Sequence, residues 1–257
     1  MAFNHDCKVV GLVPAFNAER TIINVLNRIP EGILDELIIL NDGSTDRTLH
    51  LLRSYQKIPI HIISNSSNQG YSSAQKRLYN ESLKYNPDII VIFHSDEGHF
   101  PEELPLLVNS LKKSDYDIAC GSRIRNIDQK FYLFPGLNTL WRSIKGSMPA
   151  HRYISNKMLS FLFNILIGGT FLSYHCGFRA VKAHALQKLR YHDFFTLRLF
   201  DAEFLINAFR MNLKIIEIPV SPYYSSLAGS KMPALRYGLE CLYYMFLILK
   251  EKRHVHE

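Results

Sequence analysis

The chain is poor in cysteine, and the few it has are not arranged for use. Four occur in 257 residues, Cys7, Cys120, Cys176 and Cys241, far apart and without a C-x-x-C pair. That excludes zinc-ligand spacing and the cysteine density of a small disulfide scaffold, and leaves reduced thiols as the expectation. Long apolar runs are missing too. No stretch reaches the roughly 18 residues that a membrane-spanning helix needs. The nearest, Leu159–Leu172 and Leu242–Leu249, read as buried helix faces, the first broken by Asn164 and Gly168-Gly169. The opening MAFNHDCKVV lacks the charged-then-apolar profile of a secretion signal. A cytoplasmic protein is expected, attached at most to a membrane surface. Internal repeats and low-complexity segments are absent. So is a G-x-G-x-x-G turn after the first apolar run, where Val13-Pro14-Ala15-Phe16-Asn17 stands instead, which argues against an NAD-type oxidoreductase.

What is present is an ordinary globular composition, 47% hydrophobic and 21% charged, with a formal charge of +7 and a pI near 9.2. The positive balance suits an anionic partner. It matches no nucleic-acid-binding motif, so a nucleic-acid partner is not expected. Short apolar runs at Val9–Val13, Leu37–Leu40, Ile60–Ile63 and Ile89–Phe93 alternate with helical spacings. The helical stretches run from an Asn17 cap through Ile22, Ile23, Leu26 and Ile29, then Leu49–Tyr55, then Ala74–Leu83. This alternation predicts βαβ units and a mostly parallel sheet flanked by helices. Further on, helices are expected over Pro101–Lys113, Ala150–Ile167, Ala202–Met211 and Ala234–Lys250, with strands at Asp117–Cys120 and Lys214–Ile218. No clean linker interrupts the chain. One domain is expected, with residues 1–122 as a nucleotide-binding half, 123–230 as an acceptor half and 231–257 as a C-terminal amphipathic helix.

In a parallel sheet, ligands meet the carboxyl ends of the strands. Polar clusters stand at those places. Asn41-Asp42-Gly43-Ser44-Thr45-Asp46 ends the second run: Asp42 is a pure acceptor suited to a base or ribose, while Asp46 or Thr45 caps the following helix. Asn68 follows the third run. His94-Ser95-Asp96-Glu97-Gly98-His99 ends the fourth, and its two carboxylates and two imidazoles suit magnesium or manganese at a diphosphate. Tyr174-His175-Cys176-Gly177-Phe178-Arg179 combines imidazole, thiol and guanidinium. Adjacent His175 and Cys176 point to opposite sides of an extended chain, which argues against a nucleophile–base pair. Asp201 and Glu203 cannot share one helix face, so one carboxylate is expected to cap and the other to enter the site, with Glu203 the candidate general base. Arg123, Arg125, Lys130, Arg142, Lys145 and Arg152 form a basic belt suited to phosphate.

Together, Val13-Pro14-Ala15-Phe16-Asn17-Ala18-Glu19, the Asn41–Asp46 cluster, the acidic strand end and Gly121-Ser122-Arg123 resemble glycosyltransferase family 2, in its dolichyl- and polyprenyl-phosphate sugar transferase branch. The resemblance implies a GT-A fold, a nucleotide-diphosphate sugar donor, Mg2+ or Mn2+, and inversion at the anomeric carbon. Carried over residue by residue, it places Pro14, Ala15, Asn17, Glu19 and Asp42 at the nucleotide. It places Asp96 at the metal, Arg123 near the donor phosphates, and Gly177, Phe178 and Arg179 in a G-F-R segment. Glu203 falls in a D-x-E-like segment before Glu217-Ile218-Pro219. The chain departs from the pattern where Asn41 replaces an aspartate, His94 replaces the first aspartate of D-x-D, and Gly98 replaces a glutamine. That leaves His94 and Asp96 as metal ligands, with Glu97 in reserve. His94, Gly146-Ser147-Met148-Pro149 and His175–Ala180 are similar to a bacterial branch that carries H-x-D. The expected acceptor is a polyprenyl phosphate or glycan intermediate at the cytoplasmic membrane face, with peripheral membrane contact. A sugar hydroxyl would need Glu203 or His175 as base, whereas Arg123 and Arg179 would stabilise charge in either case. The alternative is a nucleotide-sugar-binding chain that has lost activity with its altered metal ligands.

Overall fold

A computed structural model describes residues 7–123, 150–196, 198–221 and 234–254. Seven strands form one sheet: β1 Val9–Ala15, β2 Glu36–Asp42, β3 His61–Asn65, β4 Ile89–Ile92, β5 Ile118–Ser122, β6 Arg179–Lys182 and β7 Ile215–Pro219, in the order β3-β2-β1-β4-β6-β5-β7. β1 to β4 are mutually parallel; β6 runs antiparallel to β4 and β5, and β7 is parallel to β5. The helices are α1 Ile22–Asn27, α2 Thr48–Ser54, α3 Tyr71–Leu83, α4 Leu104–Lys112, α5 Ala150–Ile167, α6 Ala183–Lys188, α7 Phe200–Arg210 and α8 Ala234–His254.

The central strands read as continuous apolar runs because both faces are covered. Along β1, Val10 and Leu12 join Ala74 and Leu78 of α3 on one face, while Val9 and Val13 join Ile22 and Leu26 of α1 on the other. Pro14 sits inside β1, yet costs no ladder bond with β4. Pairing with β4 ends at Leu12↔Ile92, so Pro14 faces only β2, opposite Leu40. Past that point β1 and β4 part, and a cleft opens between their carboxyl ends.

Three expectations need correction. The first helix begins at Ile22, not at an Asn17 cap. Asn17 instead adopts a left-handed backbone with φ 49°, which asparagine tolerates, and bridges to the next loop. Pro101–Glu103 is a 3-10 turn, with α4 following from Leu104. β6 and α6 lay outside the expected elements. β6 is four residues with Arg179 and Lys182 at its ends, too short and too polar at the edges for a periodic signal.

Candidate active site

The cleft at the ends of β1, β2 and β4 is an open pocket of about 230 Å³. Pro14 and Ala15 line it from β1 and Phe16 from just beyond, Asp42 from β2, and His94, Ser95 and Asp96 from the segment after β4; Asn68, Gly70, Tyr71 and Ala74 close the side toward α3. It sits where the chain's crossovers change direction along the sheet, the usual place for a ligand in an open α/β fold.

Short polar side chains brace one wall. Asp42 is 3% exposed, and its carboxylate accepts from Asn65 Nδ2 (2.5 Å) and from the backbone N–H groups of Gln69 (3.0 Å) and Gly70 (3.1 Å). A carboxylate has about four lone-pair sites, so roughly one remains for a ligand. Asp42 therefore shapes the 65–70 loop as well as facing the pocket. Asn68 Oδ1 accepts from Gly70 N–H in the same loop. Gly43 lets that loop close: it has φ 66°, and a Cβ would lie 2.6 Å from Asn68 N.

Asn17 and Glu19 brace this wall from behind, outside the pocket lining. Asn17 N–H donates to Ser44 Oγ (3.1 Å), and Asn17 Oδ1 accepts from Thr45 N–H (2.9 Å). The Glu19 carboxylate accepts from Arg47 N–H (3.1 Å). Asp46 stands one residue before the α2 N-cap, Arg47, and accepts from the first helical N–H, that of Thr48 (2.9 Å), while its other oxygen holds Glu19 N–H (3.1 Å). Burial would raise the Asp46 carboxyl, but these donors outweigh it and hold it below the ordinary range.

The end of β4 separates the three expected metal ligands. Asp96 lies in the pocket with Oδ1 accepting from Gly98 N–H (3.0 Å). Glu97 turns away. Its φ of 59° reverses the chain, and its buried carboxylate accepts from Asn24 Nδ2 on α1. Glu97 is thus placed apart from His94 and Asp96, outside the pocket lining. His94 lines the pocket, with Nε2 3.4 Å from Tyr71 Oη and its ring stacked on Tyr71 at 5.7 Å. A Cβ on Gly177 would overlap His94 Nε2 and lie 2.7 Å from Tyr71 Oη, so the imidazole occupies the space a side chain would fill.

Behind His94 lies His99, 5% exposed. Burial, then Arg123 and His94, hold its pKa well below that of an ordinary imidazole. The neutral ring accepts from Arg123 Nη2 at 2.9 Å through Nε2, with Cys176 Sγ at 3.3 Å from the same nitrogen. Burial pushes the Cys176 thiol up, which suits packing and not nucleophilic attack. Cys176 and His175 do point apart, as expected from adjacent positions. His175 Nδ1 meets Tyr237 Oη of α8 at 2.6 Å.

The other wall holds a buried ion pair. Arg179, 1% exposed, donates to Asp201 Oδ1 (2.6 Å) and Tyr79 Oη (2.9 Å), and its guanidinium lies 4.4 Å from the Phe204 ring centre. Asp201 also accepts from Tyr71 Oη (2.8 Å) and Gln75 Nε2 (3.2 Å). Burial would raise the Asp201 carboxyl; Arg179, His94 and Tyr71 outweigh it and keep it below the ordinary range. Arg179 is therefore committed to Asp201 and enclosed, not presented to donor phosphates.

Glu203 does not line the pocket either. It is 3% exposed and clamps the segment before α7, accepting from Phe195 N–H (3.2 Å), Thr196 N–H (3.1 Å) and Thr196 Oγ1 (2.5 Å). Of the two carboxylates, Asp201 faces His94 and Tyr71. His175 is held neutral: burial pulls its pKa to about 4, with the Asp201 charge offsetting only part.

Tyr71 and Gln75 did not figure among the expected site residues. A signal for both existed. Tyr71, Gln75 and Tyr79 recur every fourth position along α3, on the face that also carries buried Ala74 and Leu78. Polar groups repeated on a core face need partners. Arg125, Lys130, Arg142, Lys145 and Gly146–Pro149 lie outside the described residues, as does the Arg152 side chain.

The chain is 25% identical over 264 residues to the UDP-N-acetylglucosamine–dolichyl-phosphate N-acetylglucosaminyltransferase of Methanococcus voltae, covering 95% of this chain and 97% of that protein. It is 21% identical to the undecaprenyl-phosphate mannosyltransferase of Micrococcus luteus, covering 88% and 87%. Among solved structures, it is similar to glucosyl-3-phosphoglycerate synthase of Mycobacterium tuberculosis in complex with Mg2+ and UDP, with a TM-score of 0.63 at 21% identity over 92% of this chain and 76% of that one. That likeness shows the fold, which is GT-A. Residues 12–190 match the model of glycosyl transferase family 2, and the chain belongs to that family: it is a glycosyltransferase.

Proposed function

We propose that this enzyme moves a sugar from a nucleotide-diphosphate sugar to a polyprenyl phosphate at the cytoplasmic membrane face, by direct displacement with inversion. One observation carries the choice of acceptor. Both candidate carboxylate bases are engaged elsewhere, Glu203 by the 195–196 backbone and Asp201 by Arg179, while His175 meets Tyr237 through Nδ1 and its Nε2 is buried. A phosphate acceptor is already anionic and requires no proton removal, whereas a sugar hydroxyl does. The relatives from Methanococcus voltae and Micrococcus luteus carry names that state lipid-phosphate acceptors.

The nucleotide takes the pocket between Phe16, Asp42 and Asn68, with the diphosphate toward Asp96. The residues there fit a divalent cation. Asp96 presents a carboxylate and His94 an imidazole, and no group of three or more ligands forms among the described residues. Mg2+ and Mn2+ suit one or two protein ligands, with substrate phosphates completing the shell. When bound, such an ion neutralises charge on the diphosphate leaving group. Arg123, oriented by His99, adds a fixed positive charge on the same side. Tyr71 and the Arg179–Asp201 pair hold His94 in place. Gly177 leaves it room.

The test is a thermal-shift panel of UDP-, GDP- and dTDP-sugars with and without Mg2+ or Mn2+. A metal-dependent rise with one nucleotide, lost in Asp96→Asn, is expected. A folded protein that shifts with no donor contradicts the reading.

A further inference from the structure

α8 has two apolar faces; among the described residues, one is buried in the core and the other is exposed. Cys241, Tyr244, Met245 and Ile248 are buried in the core, and Tyr237 on the same side bonds His175. On the opposite face, Leu239, Leu242, Tyr243, Phe246 and Leu249 are between 50% and 63% exposed. At 3.6 residues per turn they form one stripe, and Lys250 continues it. α5 packs against α8 and adds exposed Ile154, Met158 and Ile165. Contiguous apolar surface of this kind marks an interaction site.

We propose that this face of α8 lies on an anionic lipid surface, its apolar stripe in the headgroup–acyl boundary; this rests on the lipid-linked acceptor proposed above. Charge selects this occupant. Between Arg236 and Lys250 the only acidic residue is Glu240, and Arg198 (2.6 Å) and Arg236 (3.6 Å) neutralise it. The sequence then runs Lys250-Glu251-Lys252-Arg253, on a chain of net charge +7. An apolar stripe ending in basic residues is the pattern of a helix lying in the plane of a membrane with anionic lipids. A second copy of the chain would bring like charges together. Among the described residues, no helix is long and apolar enough to cross a membrane. Tyr243 suits the headgroup level, where its ring is apolar and its hydroxyl wet. The Tyr237–His175 bond ties the docked helix to the segment beside the pocket, and so brings a lipid-borne phosphate near the donor.

The experiment is flotation of the full chain with vesicles of phosphatidylcholine, or of phosphatidylcholine with phosphatidylglycerol. The protein is expected to float with the mixed vesicles and weakly with the neutral ones. The double variant Leu242→Asp with Phe246→Asp is expected to lower partition at least about tenfold. Both side chains are exposed, so the variant's melting temperature and donor-induced shift should match the wild type. Failure of the wild type to float, or equal flotation of the variant, overturns the inference. So does a wild-type dimer in light scattering that the variant turns into a monomer. Transfer to a short, water-soluble polyprenyl phosphate separates the two proposals. Transfer without flotation overturns docking alone, and flotation without transfer overturns the acceptor assignment alone.

Discussion

The two walls of the cleft are built from different chemistry. On the nucleotide side, Asn17, Asp42, Asp46 and Glu19 hold backbone N–H groups of neighbouring loops, one or two bonds at a time. On the far side, a single ion pair, Arg179–Asp201, sits among Tyr79, Phe200 and Phe204. The first wall is a set of separable neutral and charge-assisted bonds, each worth about 0.5–3 kcal/mol. The second stands or falls as one, because a buried charge deprived of its partner is far more costly than a lost bond.

Substitutions can break or sharpen that contrast. Arg179→Met should have the largest effect, since it leaves the Asp201 carboxylate buried and unpaired. A loss of about 3–5 kcal/mol is expected in urea unfolding, and a loss near 1 kcal/mol would place the far wall on the same footing as the near one. Asp96→Asn should keep the melting temperature and lower kcat about 100- to 1000-fold, the scale for removing a group that stabilises leaving-group charge.

His175 gives a pH signature. The folded protein keeps it neutral down to about pH 4, while the unfolded chain takes up its proton near the ordinary 6.5. The unfolded state therefore binds more protons between those values. Stability should fall as pH is lowered through that window, by on the order of 3 kcal/mol. His175→Phe should flatten this limb of the stability–pH curve. The smallest effect belongs to the near wall: Asp46→Ala removes the carboxylate that accepts from Thr48 N–H at the start of α2 and should cost about 1 kcal/mol, with donor binding largely retained.

The same contrast explains what was legible in the sequence. Asp42, Asn68, His94 and Asp96 each end or follow a strand, so their position followed from local pattern, and all four line the pocket. The far wall depends on contacts across 100 positions or more, such as Tyr79 with Arg179 and Tyr71 with Asp201. They exist because β6 lies antiparallel against β4, setting Arg179 opposite Ile92 and Gly177 beside His94. No periodicity in four residues announces that strand. The spacing of Asp201 and Glu203 puts them on different helix faces, but neither caps α7: Glu203 holds the 195–196 backbone, and Asp201 is fixed by the Arg179 side chain across the sheet. Glu97 was misplaced for a similar reason: its left-handed backbone sends it toward α1, a turn that an acidic residue rarely makes and that its neighbours do not reveal.

The most direct test of the central claim compares two acceptors that differ by one group. Transfer from the cognate nucleotide sugar is measured to a short-chain polyprenyl phosphate and to the same prenol without phosphate. The account expects transfer to the phosphate alone, with a product bearing the inverted anomeric configuration. Comparable transfer to the prenol hydroxyl would contradict it, because that oxygen needs a base and, among the described residues, the candidate carboxylates Glu203 and Asp201 are engaged in other bonds.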